Sequence, residues 1–406
     1  MMAASNLAKL RDPDMTATDS HQSHRVRPYA SRLPHICFVA PYTWPVFSGD
    51  PDIPVVGGAE VQQSILARLF SRAGYKVSMI CVDYGQADGQ EFDGVTVYKT
   101  YRPNSGLPVM RFLYPRLTST WQALQRADAD IYYQRSSAML TGVVAEFCRR
   151  HGRRSIFAGA SDADFIPGKQ PIKYARDRWL FERGLARVDR IVVQNANQKQ
   201  DCRANYGRES VLIPSCYQIP SDARPGTGGI VLWVGTIRDY KRPELFLEMA
   251  RKLPQHQFVM VGGPGPDVDG GYFEGIRRDA ASLSNLEFTG FLPLHKVEPY
   301  FDRAKVFVNT SVYEGVPNTF MQAWARGVPT VATVDVAARW GNEPLYRVIG
   351  TVDEGVEEID RLLLDEEYRT RISSRCLQHF SGTHASSAVL AHYGKVFEEL
   401  MQGRES

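Results

Sequence analysis

Glu314 opens the segment of this sequence that is best equipped for chemistry. A short apolar run ends at Asn309, polar residues follow, and Glu314 stands directly before a glycine turn and a helix predicted over 318–326. A carboxylate beside the free N–H groups of a helix start suits sugar hydroxyls, which both donate and accept hydrogen bonds. The same N–H groups can hold a phosphate. The segment therefore predicts a clamp for hydroxyls or phosphate; a capped helix with an incidental acid is the plainer alternative.

A second loop gathers positive charge behind a glycine. A predicted strand ends at Gly235, and Arg238, Lys241 and Arg242 follow before a helix that begins at Pro243. Arginine can hold a diphosphate through paired hydrogen bonds, and lysine acts as a point charge. The loop therefore predicts a diphosphate contact, and a solvated run of charges is the alternative.

The third loop is the glycine pair Gly57-Gly58, which precedes a predicted helix. Two glycines let the backbone approach a ligand closely, and the helix start adds N–H groups and the positive end of a dipole. Contact with a phosphate or sugar and a plain turn with a helix cap are both open. The spacing is not that of a dinucleotide-binding fingerprint.

Strands must position these loops, since each loop follows one. Apolar runs over 35–40 and 76–82 flank a helical stretch, and a second alternation of strand and helix starts at 230 and continues past 330. Two such units predict the α/β class, with two Rossmann-like, doubly wound domains that face each other across a cleft. Ligands of such sheets lie at the carboxyl ends of the strands, so the cleft is the expected site.

Bulk properties exclude several classes of function. A net charge of +3 over 406 residues gives no reason to expect a nucleic-acid partner. Six cysteines are scattered without a CxxC pair, which argues against a zinc site or a disulfide framework and suits a reducing cytoplasm. No apolar run approaches the roughly 20 residues that cross a bilayer. The first 33 residues have no apolar signal-peptide core.

Taken together, the motifs resemble the retaining, GT-B-fold glycosyltransferases of family 4, which build polysaccharides, lipopolysaccharides and glycolipids. The resemblance covers roughly 34–339. Four features carry it in the expected order: Gly57-Gly58-Ala59-Glu60, Gly235 with Lys241, Val259-Met260-Val261-Gly262-Gly263, and Glu314-Gly315-Val316-Pro317-Asn318-Thr319-Phe320.

The resemblance implies roles for individual residues. Gly58 resembles the loop glycine that abuts the donor phosphate, and Lys241 resembles the lysine that neutralises the departing diphosphate. Glu314 resembles the first Glu of a Glu, seven residues, Glu motif, which contacts the transferred sugar. The implied donor-binding set is Gly57, Gly58, Gly235, Thr236, Arg238, Lys241, Gly263, Glu314, Gly315, Val316, Pro317, Asn318, Thr319, Phe320 and Gln322.

Three positions depart from the family pattern. The second Glu of that motif, which grips the ribose hydroxyls, is Gln322 here, and an amide can still form those hydrogen bonds. The family arginine five residues before the lysine falls at Thr236, with Arg238 as the nearest substitute. Where many relatives have a histidine, this chain has Asp162, which we predict to orient the reacting sugar or acceptor. A loop acid without such a contact is the alternative.

The implied reaction is transfer of a sugar from a UDP- or GDP-linked donor to a glycan or glycolipid hydroxyl, with retention of configuration and without a metal or other cofactor. Lys241, Glu314 and Asp162 form the predicted catalytic set. Two alternatives stay open: a catalytically silent subunit that binds sugar nucleotides, and a GT-B sugar-nucleotide epimerase.

The resemblance also divides the chain into four segments. We predict a disordered tail over 1–33, an acceptor-binding Rossmann-like domain over 34–220, a nucleotide-sugar-binding Rossmann-like domain over 221–385, and a helix over 386–406 that packs back on the first domain. The stretch 219–229, rich in Pro, Gly, Ser and Asp, is the predicted linker.

The acceptor side shows one unusual feature, a helix predicted over 173–183 in which cations alternate with aromatic residues. Such a helix can lie on an anionic membrane or hold a lipid-linked glycan. A helix packed on the sheet with a solvated basic face is the alternative. The protein is accordingly expected in the cytoplasm, with the inner face of the membrane as its site of contact with lipid.

Overall fold

The computed structural model of the chain describes residues 32–49, 57–103, 105–106, 112–220, 223–226, 228–265 and 268–403. The predicted disordered tail over 1–33 lies almost entirely outside the described residues. Two large, mainly parallel sheets divide the described chain, the first built before residue 213 and the second after residue 229. The predicted α/β class with two doubly wound sheets is confirmed.

The first sheet has eight strands in the order β3-β4-β2-β1-β5-β6-β7-β8. All neighbours are parallel except β3 and β4, which pair antiparallel. The strands are β1 Ile36–Val39, β2 Val77–Cys81, β3 Gln90–Phe92, β4 Val95–Lys99, β5 Ile131–Arg135, β6 Arg154–Ala158, β7 Arg190–Val193 and β8 Val211–Leu212.

Helices connect these strands. They are α1 Trp44–Ser48, α2 Gly58–Arg72, α3 Thr118–Ala127, α4 Met139–His151, α5 Ala175–Leu185 and α6 Ala196–Tyr206, with an irregular helical segment Phe112–Leu117 before α3 and a 3-10 turn Asp162–Phe165 before α5. α4 and α5 cross closely because two glycines meet there. A Cβ on Gly142 would lie 2.3 Å from the carbonyl oxygen of Leu180, and one on Gly184 would lie 2.4 Å from the amide nitrogen of Gly142. This contact fixes which face of α5 points to solvent.

The second sheet is parallel throughout and has the order β11-β10-β9-β12-β13-β16. Its strands are β9 Ile230–Val234, β10 Gln257–Val261, β11 Leu286–Phe288, β12 Ala304–Asn309, β13 Thr330–Ala332 and β16 Arg347–Val348; a small antiparallel pair, β14 Arg339–Trp340 and β15 Glu343–Pro344, precedes the last. Its helices are α7 Pro243–Lys252, α8 Gly270–Ala281, α9 Leu294–Arg303, α10 Asn318–Trp324, α11 Val352–Leu364, α12 Glu366–Thr383 and α13 Ser386–Gln402, and a 3-10 turn Asp239–Lys241 precedes α7.

The last helix, α13, packs in the core of the first sheet. Tyr393 and Phe397 lie edge-on to Phe70 of α2, with ring centroids 5.3 and 5.2 Å apart. The chain therefore crosses between the two halves twice. At the crossing Tyr217 N–H donates to the carbonyl of His384 at 3.3 Å, and His384 Nδ1 lies 2.7 Å from the carbonyl of Ser215.

Element boundaries differ from the sequence-based expectations at two places. The helix predicted over 318–326 ends at Trp324, where the chain turns sharply before Gly327 (φ +67°). The apolar run within 210–214 also predicts a strand, and the structure pairs it with β7 at Val211–Leu212, with one further bond from Ile213 N–H to the carbonyl of Val193 at 2.9 Å. Among the described residues, no helix is both long enough and apolar enough to span a membrane.

Candidate active site

Two loops of the second sheet lie side by side because the strands that carry them, β9 and β12, are neighbours. Val312 N–H donates to the carbonyl of Tyr240 at 2.8 Å, and Thr310 Oγ1 donates to the carbonyl of Lys241 at 2.6 Å. Arg242 Nε donates to the carbonyl of Thr310 at 2.9 Å. Loop 238–242 and loop 310–314 are thus fastened to each other along their length, and the side chains on them have fixed relative positions.

Lys241 and Glu314 meet between these loops. Lys241 Nζ donates to Glu314 Oε1, which also accepts from Ser311 Oγ at 2.7 Å. The two side chains are 18% and 13% exposed, so the pair is shielded from solvent but open on one side. Burial lowers the pKa of Lys241, but Glu314 and Tyr240 outweigh burial and leave that pKa above its usual value. The lysine therefore stays cationic, and the structure joins the residue predicted for the diphosphate to the residue predicted for the sugar.

An aromatic stack flanks the ion pair. The rings of Tyr240 and Tyr313 lie 4.9 Å apart and nearly parallel, at 9°. Both residues are direct sequence neighbours of the ion pair, and Lys241 Nζ lies 5.3 Å from the Tyr240 ring. Offset or stacked aromatic pairs contribute about 0.5–1.5 kcal/mol beyond the area they bury. The stack is therefore a second fastening of the two loops, independent of the hydrogen bonds.

The N-terminal half faces this site through the start of α2. Asn318 Nδ2 donates to the carbonyl of Gly58 at 3.1 Å, and Gln62 Nε2 donates to Asn318 Oδ1 at 2.7 Å. Gln62 is itself held by the backbone of Cys216 through both its amide atoms. A Cβ on Gly58 would lie 3.7 Å from Asn318 Nδ2, while Gly57 caps the helix and abuts the side chain of Glu60. The predicted glycine loop and the predicted clamp thus meet across the cleft.

Gly315 lies at a close approach between the two halves. A Cβ there would lie 2.7 Å from the carbonyl oxygen of Ala160, and the next amide, Val316 N–H, donates to Gln194 Oε1 at 3.2 Å. Phe320 N–H donates to the carbonyl of Pro317. The prediction that the whole backbone over 315–320 is open to a ligand is therefore too broad. Of the described residues 315–320, Gly315, Asn318 and Thr319 keep an N–H that no protein acceptor engages, and Pro317 has no N–H. Gly315 is buried, and Asn318 and Thr319 are half-buried.

Asp162 lies one side chain away from Gly315. Its Oδ1 accepts from Asn195 Nδ2 at 3.2 Å and from Gln198 Nε2 at 3.0 Å. Burial raises the pKa of Asp162, and these two hydrogen bonds offset only part of the effect. Gln198 Nε2 would also lie 3.2 Å from a Cβ on Gly315. The aspartate therefore belongs to the wall of the cleft that faces the Gly315 turn.

A neighbouring acid, Asp164, holds that wall in place. It is fully buried and accepts from the amides of Ser137, Ala160 and Ser161 at 2.7–3.1 Å. Ser161 in turn caps the 3-10 turn that carries Asp162. Of two acids separated by one residue, one is therefore committed to the backbone, and only Asp162 can meet a ligand.

A hydrogen-bond chain that no sequence motif indicated links the first sheet to the Gly315 turn. Arg135, at the end of β5, is 7% exposed and donates to Ser215 Oγ at 3.3 Å. Ser215 Oγ donates to Gln194 Oε1 at 2.8 Å, the same atom that accepts from Val316 N–H. Its members come from separate parts of the chain, so no local spacing could have revealed it.

The remaining predicted donor residues follow the carboxyl ends of β9 and β10. Gly235 and Gly262 pack backbone against backbone, since a Cβ on Gly262 would lie 2.0 Å from the carbonyl oxygen of Gly235. A Cβ on Gly263 would lie 2.7 Å from the Cβ of Phe291. Arg238 lies over Gly265, and its guanidinium is 5.9 Å from the Tyr240 ring. Thr236 is half-buried at the head of this loop.

Gln322 is enclosed rather than open. It is 3% exposed, and its Nε2 donates to Glu298 Oε1 at 2.8 Å. Glu298, on α9, also accepts from Tyr217 OH at 2.7 Å and from the buried Arg326 at 2.9 Å. Sequence reasoning missed Glu298. The only signal is its spacing from Asp302 on one face of α9, where both acids meet the guanidinium of Arg326.

No group of three His, Cys, Asp or Glu side chains in the described part of the chain is arranged to hold a metal ion. What the described site offers is a shielded cation paired with an acid, open backbone amides, and a second acid across the cleft.

Two family models match the chain, one on each half. The model for glycosyltransferase family 4 matches residues 56–217, and the model for glycosyl transferases group 1 matches residues 228–365. The two matches fall on the first and second sheets respectively.

Curated relatives match more narrowly. The lipopolysaccharide core biosynthesis glycosyltransferase LpsE of Rhizobium meliloti is 23% identical over 173 residues, 42% of this chain and 49% of that protein. The D-inositol 3-phosphate glycosyltransferase of Mycobacterium leprae is 28% identical over 200 residues, 45% of each chain. The chain thus spans about half the length of these relatives.

Solved structures match over nearly the whole chain. Sucrose-phosphate synthase of Thermosynechococcus elongatus has a TM-score of 0.74 at 18% identity, covering 91% of this chain and all of that one. The Anabaena protein HepE, solved with UDP and glucose, has a TM-score of 0.67 at 15% identity, covering 90% and 99%. At such identities the likeness establishes the fold, which is GT-B.

Proposed function

We propose that this chain, which belongs to the glycosyltransferases of family 4 and has their GT-B fold, moves a sugar from a nucleoside diphosphate donor to a hydroxyl of a glycan or glycolipid acceptor. The observation that carries the proposal is the shielded Lys241–Glu314 pair at the carboxyl ends of the strands of the second sheet, in the half whose Asn318 contacts Gly58 across the cleft. Because the curated relatives match over about half their length, the activity is inferred from this site.

Charge supports the diphosphate role of Lys241. When a sugar leaves, negative charge develops on the diphosphate, and a preorganised cation in a shielded site stabilises it more than water does. Glu314 holds the ammonium in place before the donor arrives. A bound diphosphate would share that ammonium, so Glu314 would gain capacity to accept from the hydroxyls of the transferred sugar.

Retention of configuration is part of the proposal. The acceptor oxygen attacks the anomeric carbon on the face from which the diphosphate departs, one C–O bond forms as the other breaks, and the acceptor proton passes to the departing diphosphate oxygen. This route needs no nucleophile from the protein, and both cleft acids are held by neighbours, Glu314 by Lys241 and Asp162 by two side-chain amides. Asp162 is proposed to orient a hydroxyl of the sugar or acceptor.

The rest of the donor would lie along the loops of the second sheet. The open amides of Gly315, Asn318 and Thr319 suit hexose hydroxyls and the distal phosphate, with Gly58 closing the site from the other half. Arg238 lies where it can approach the diphosphate beside Gly265. Gln322 is proposed for the ribose hydroxyls through its carboxamide oxygen, since its nitrogen is held by Glu298.

The donor base and the acceptor are proposed at the level of class. UDP appears in the solved structure of HepE, and either a UDP- or a GDP-linked sugar is compatible with the loops described. Relatives named for lipopolysaccharide core biosynthesis and D-inositol 3-phosphate support an acceptor in cell-surface polysaccharide or glycolipid synthesis. We propose that this acceptor is met at the cytoplasmic face of a membrane.

A thermal-shift screen of the full chain against UDP-, GDP- and ADP-sugars tests the proposal. Ligand at about 100 times its Kd stabilises the folded state by about 2.7 kcal/mol, which gives a readily measured shift. The expected result is a shift with one nucleotide class, accompanied by slow release of the nucleoside diphosphate. Binding without any release or transfer would favour a silent subunit, and absence of a shift with every donor would contradict the proposal.

A further inference from the structure

Four large apolar side chains stand exposed near one another on the N-terminal half. Leu113 and Tyr114 are 57% and 69% exposed, and Tyr174 and Trp179 are 54% and 57% exposed. The two pairs are joined by Arg176, whose guanidinium lies 3.5 Å from the centroid of the Phe112 ring. The irregular segment before α3 and the first half of α5 therefore form one surface.

Cations are interleaved with these aromatic rings. Arg176, Trp179 and Arg183 share one face of α5 by their spacing of three and four residues. The guanidinium of Arg183 lies 5.4 Å from the Trp179 ring, and Lys173 Nζ lies 5.8 Å from the Tyr174 ring. We call this surface the aromatic–basic face: Leu113, Tyr114, Lys173, Tyr174, Trp179 and Arg183.

The aromatic–basic face is not the side of α5 that packs into the core. α5 buries Phe181, Gly184 and Leu185 on the opposite side, where it meets α4 and β6. The close crossing at Gly142 and Gly184 fixes this orientation. The exposure of Trp179 is therefore built into the fold.

Positive charge is concentrated in the same segment. Residues 169–187 contain six lysines and arginines against two acids, a local net charge of +4 in a chain whose total is +3. One of the acids, Asp177, is paired with Arg176. A strong local excess of positive charge thus lies beside the exposed Trp179.

We propose that the aromatic–basic face binds the surface of an anionic lipid bilayer. Tryptophan and tyrosine settle at the headgroup level of a membrane, because one part of each ring is apolar and another is polar. Lysine and arginine near an anionic surface add about fivefold in affinity each. Exposed aromatics and cations in one patch match both features of an anionic bilayer surface.

The position of the face connects it to the cleft. The Phe112–Leu117 segment follows β4, and the segment 166–174 follows β6, so both lie toward the carboxyl edge of the first sheet. Gly58 and Asp162 lie on that same edge. A bilayer on this face would present a lipid-linked acceptor to the mouth of the cleft. This role for the acceptor rests on the proposed function, whereas the bilayer contact does not.

Co-sedimentation of the full chain with extruded vesicles tests the inference. One vesicle population is phosphatidylcholine, and the other contains equal parts of phosphatidylcholine and phosphatidylglycerol. We expect binding to the anionic vesicles that weakens with added salt and little binding to the neutral ones. Lys173→Glu with Arg183→Glu should weaken that binding by about tenfold or more.

A matched double variant serves as the control. Arg203→Glu with Arg277→Glu changes the net charge equally at positions that are 77% and 63% exposed on α6 and α8. A further pair, Tyr114→Ser with Trp179→Ser, should weaken vesicle binding at unchanged charge. Equal losses in the control and the face variants, equal binding to both vesicle types, or absence of vesicle binding would each overturn the inference.

Donor binding separates this outcome from the transferase proposal. The thermal shift given by a nucleotide sugar should be the same in the face variants and in the wild type. Lost vesicle binding with an intact nucleotide shift would therefore concern the face alone.

Discussion

At the residue scale, contacts assembled from distant positions decide what the predicted residues can do. The types and spacing of residues around Lys241 and Glu314 indicated a diphosphate and a hydroxyl contact. Their direct ion pair, 73 positions apart in sequence, could not be predicted because it depends on β9 and β12 being neighbours. The same limit applies to Gln322, whose partner Glu298 lies on a separate helix.

Gly315 gives a sharp test at this scale. A Cβ at Gly315 would lie 2.7 Å from the carbonyl oxygen of Ala160 in the other half of the molecule. Gly315→Ala should force the halves apart at this point, at a cost of about 1–3 kcal/mol for an overpacked contact. We expect weaker donor binding by calorimetry with only a small change in melting temperature, because the strain falls between the halves.

Gly275 provides the control for that substitution. It lies inside α8, and a Cβ added there would meet no neighbouring atom within 4 Å, so Gly275→Ala should leave donor binding unchanged. In a helix interior it should stabilise the fold by up to about 1 kcal/mol. Equal donor affinities in the two variants would contradict the close approach.

At the element scale, the alternation of strands and helices could be predicted because apolar runs and helical spacing are local. The contacts that close the cleft are not local. Gln62, on the first turns of α2, joins Cys216 of the crossing segment to Asn318 of α10, and nothing in the sequence around it distinguishes it from Gln63. The three hydrogen bonds of this buried amide become visible only once the fold is known.

Gln62→Ala should therefore loosen the two halves. It removes the hydrogen bonds to Asn318 and to the backbone of Cys216, and each such net contribution is about 0.5–1.5 kcal/mol. We expect a larger radius of gyration in small-angle scattering without donor and a lower kcat/KM. The exposed Gln255, on the far side of the second sheet, offers Gln255→Ala as a control. A scattering profile that is unchanged in both variants would contradict the role of Gln62 in holding the two halves together.

At the scale of the whole molecule, the two halves are tied together where the chain crosses between them. His384 is buried at this crossing with its Nδ1 2.7 Å from the carbonyl of Ser215. Burial lowers the pKa of His384 to about 3, although the Ser215 carbonyl acts in the opposite direction. The family resemblance predicts that the last helix packs back on the first domain, but the hydrogen bonds at the crossing depend on the assembled fold.

This histidine predicts a pH dependence of stability. With a folded-state pKa of about 3 against 6.5 unfolded, it favours the folded state fully above pH 6.5 and progressively less as the pH falls toward 3. At pH 5 the loss should be about 2 kcal/mol, measurable by urea unfolding as the difference between the wild type and His384→Asn. Because His35 is also buried with a pKa lowered to about 4, only that difference isolates His384.

The exposed His295 gives the control variant, His295→Asn, which should reproduce the pH profile of the wild type. If the unfolding free energies of His384→Asn and the wild type change in parallel between pH 7 and 5, the result would contradict a neutral, buried His384.

The central claim, that a shielded Lys241 stabilises a departing diphosphate, is tested most directly by kcat for the donor identified in the screen. Removal of one preorganised group that meets developing charge typically lowers kcat about 10²–10³-fold. We predict a loss of that size in Lys241→Ala and none in Lys252→Ala, whose side chain is 42% exposed on α7, with melting temperatures confirming that both variants fold. Turnover by Lys241→Ala at the rate of Lys252→Ala would contradict the claim.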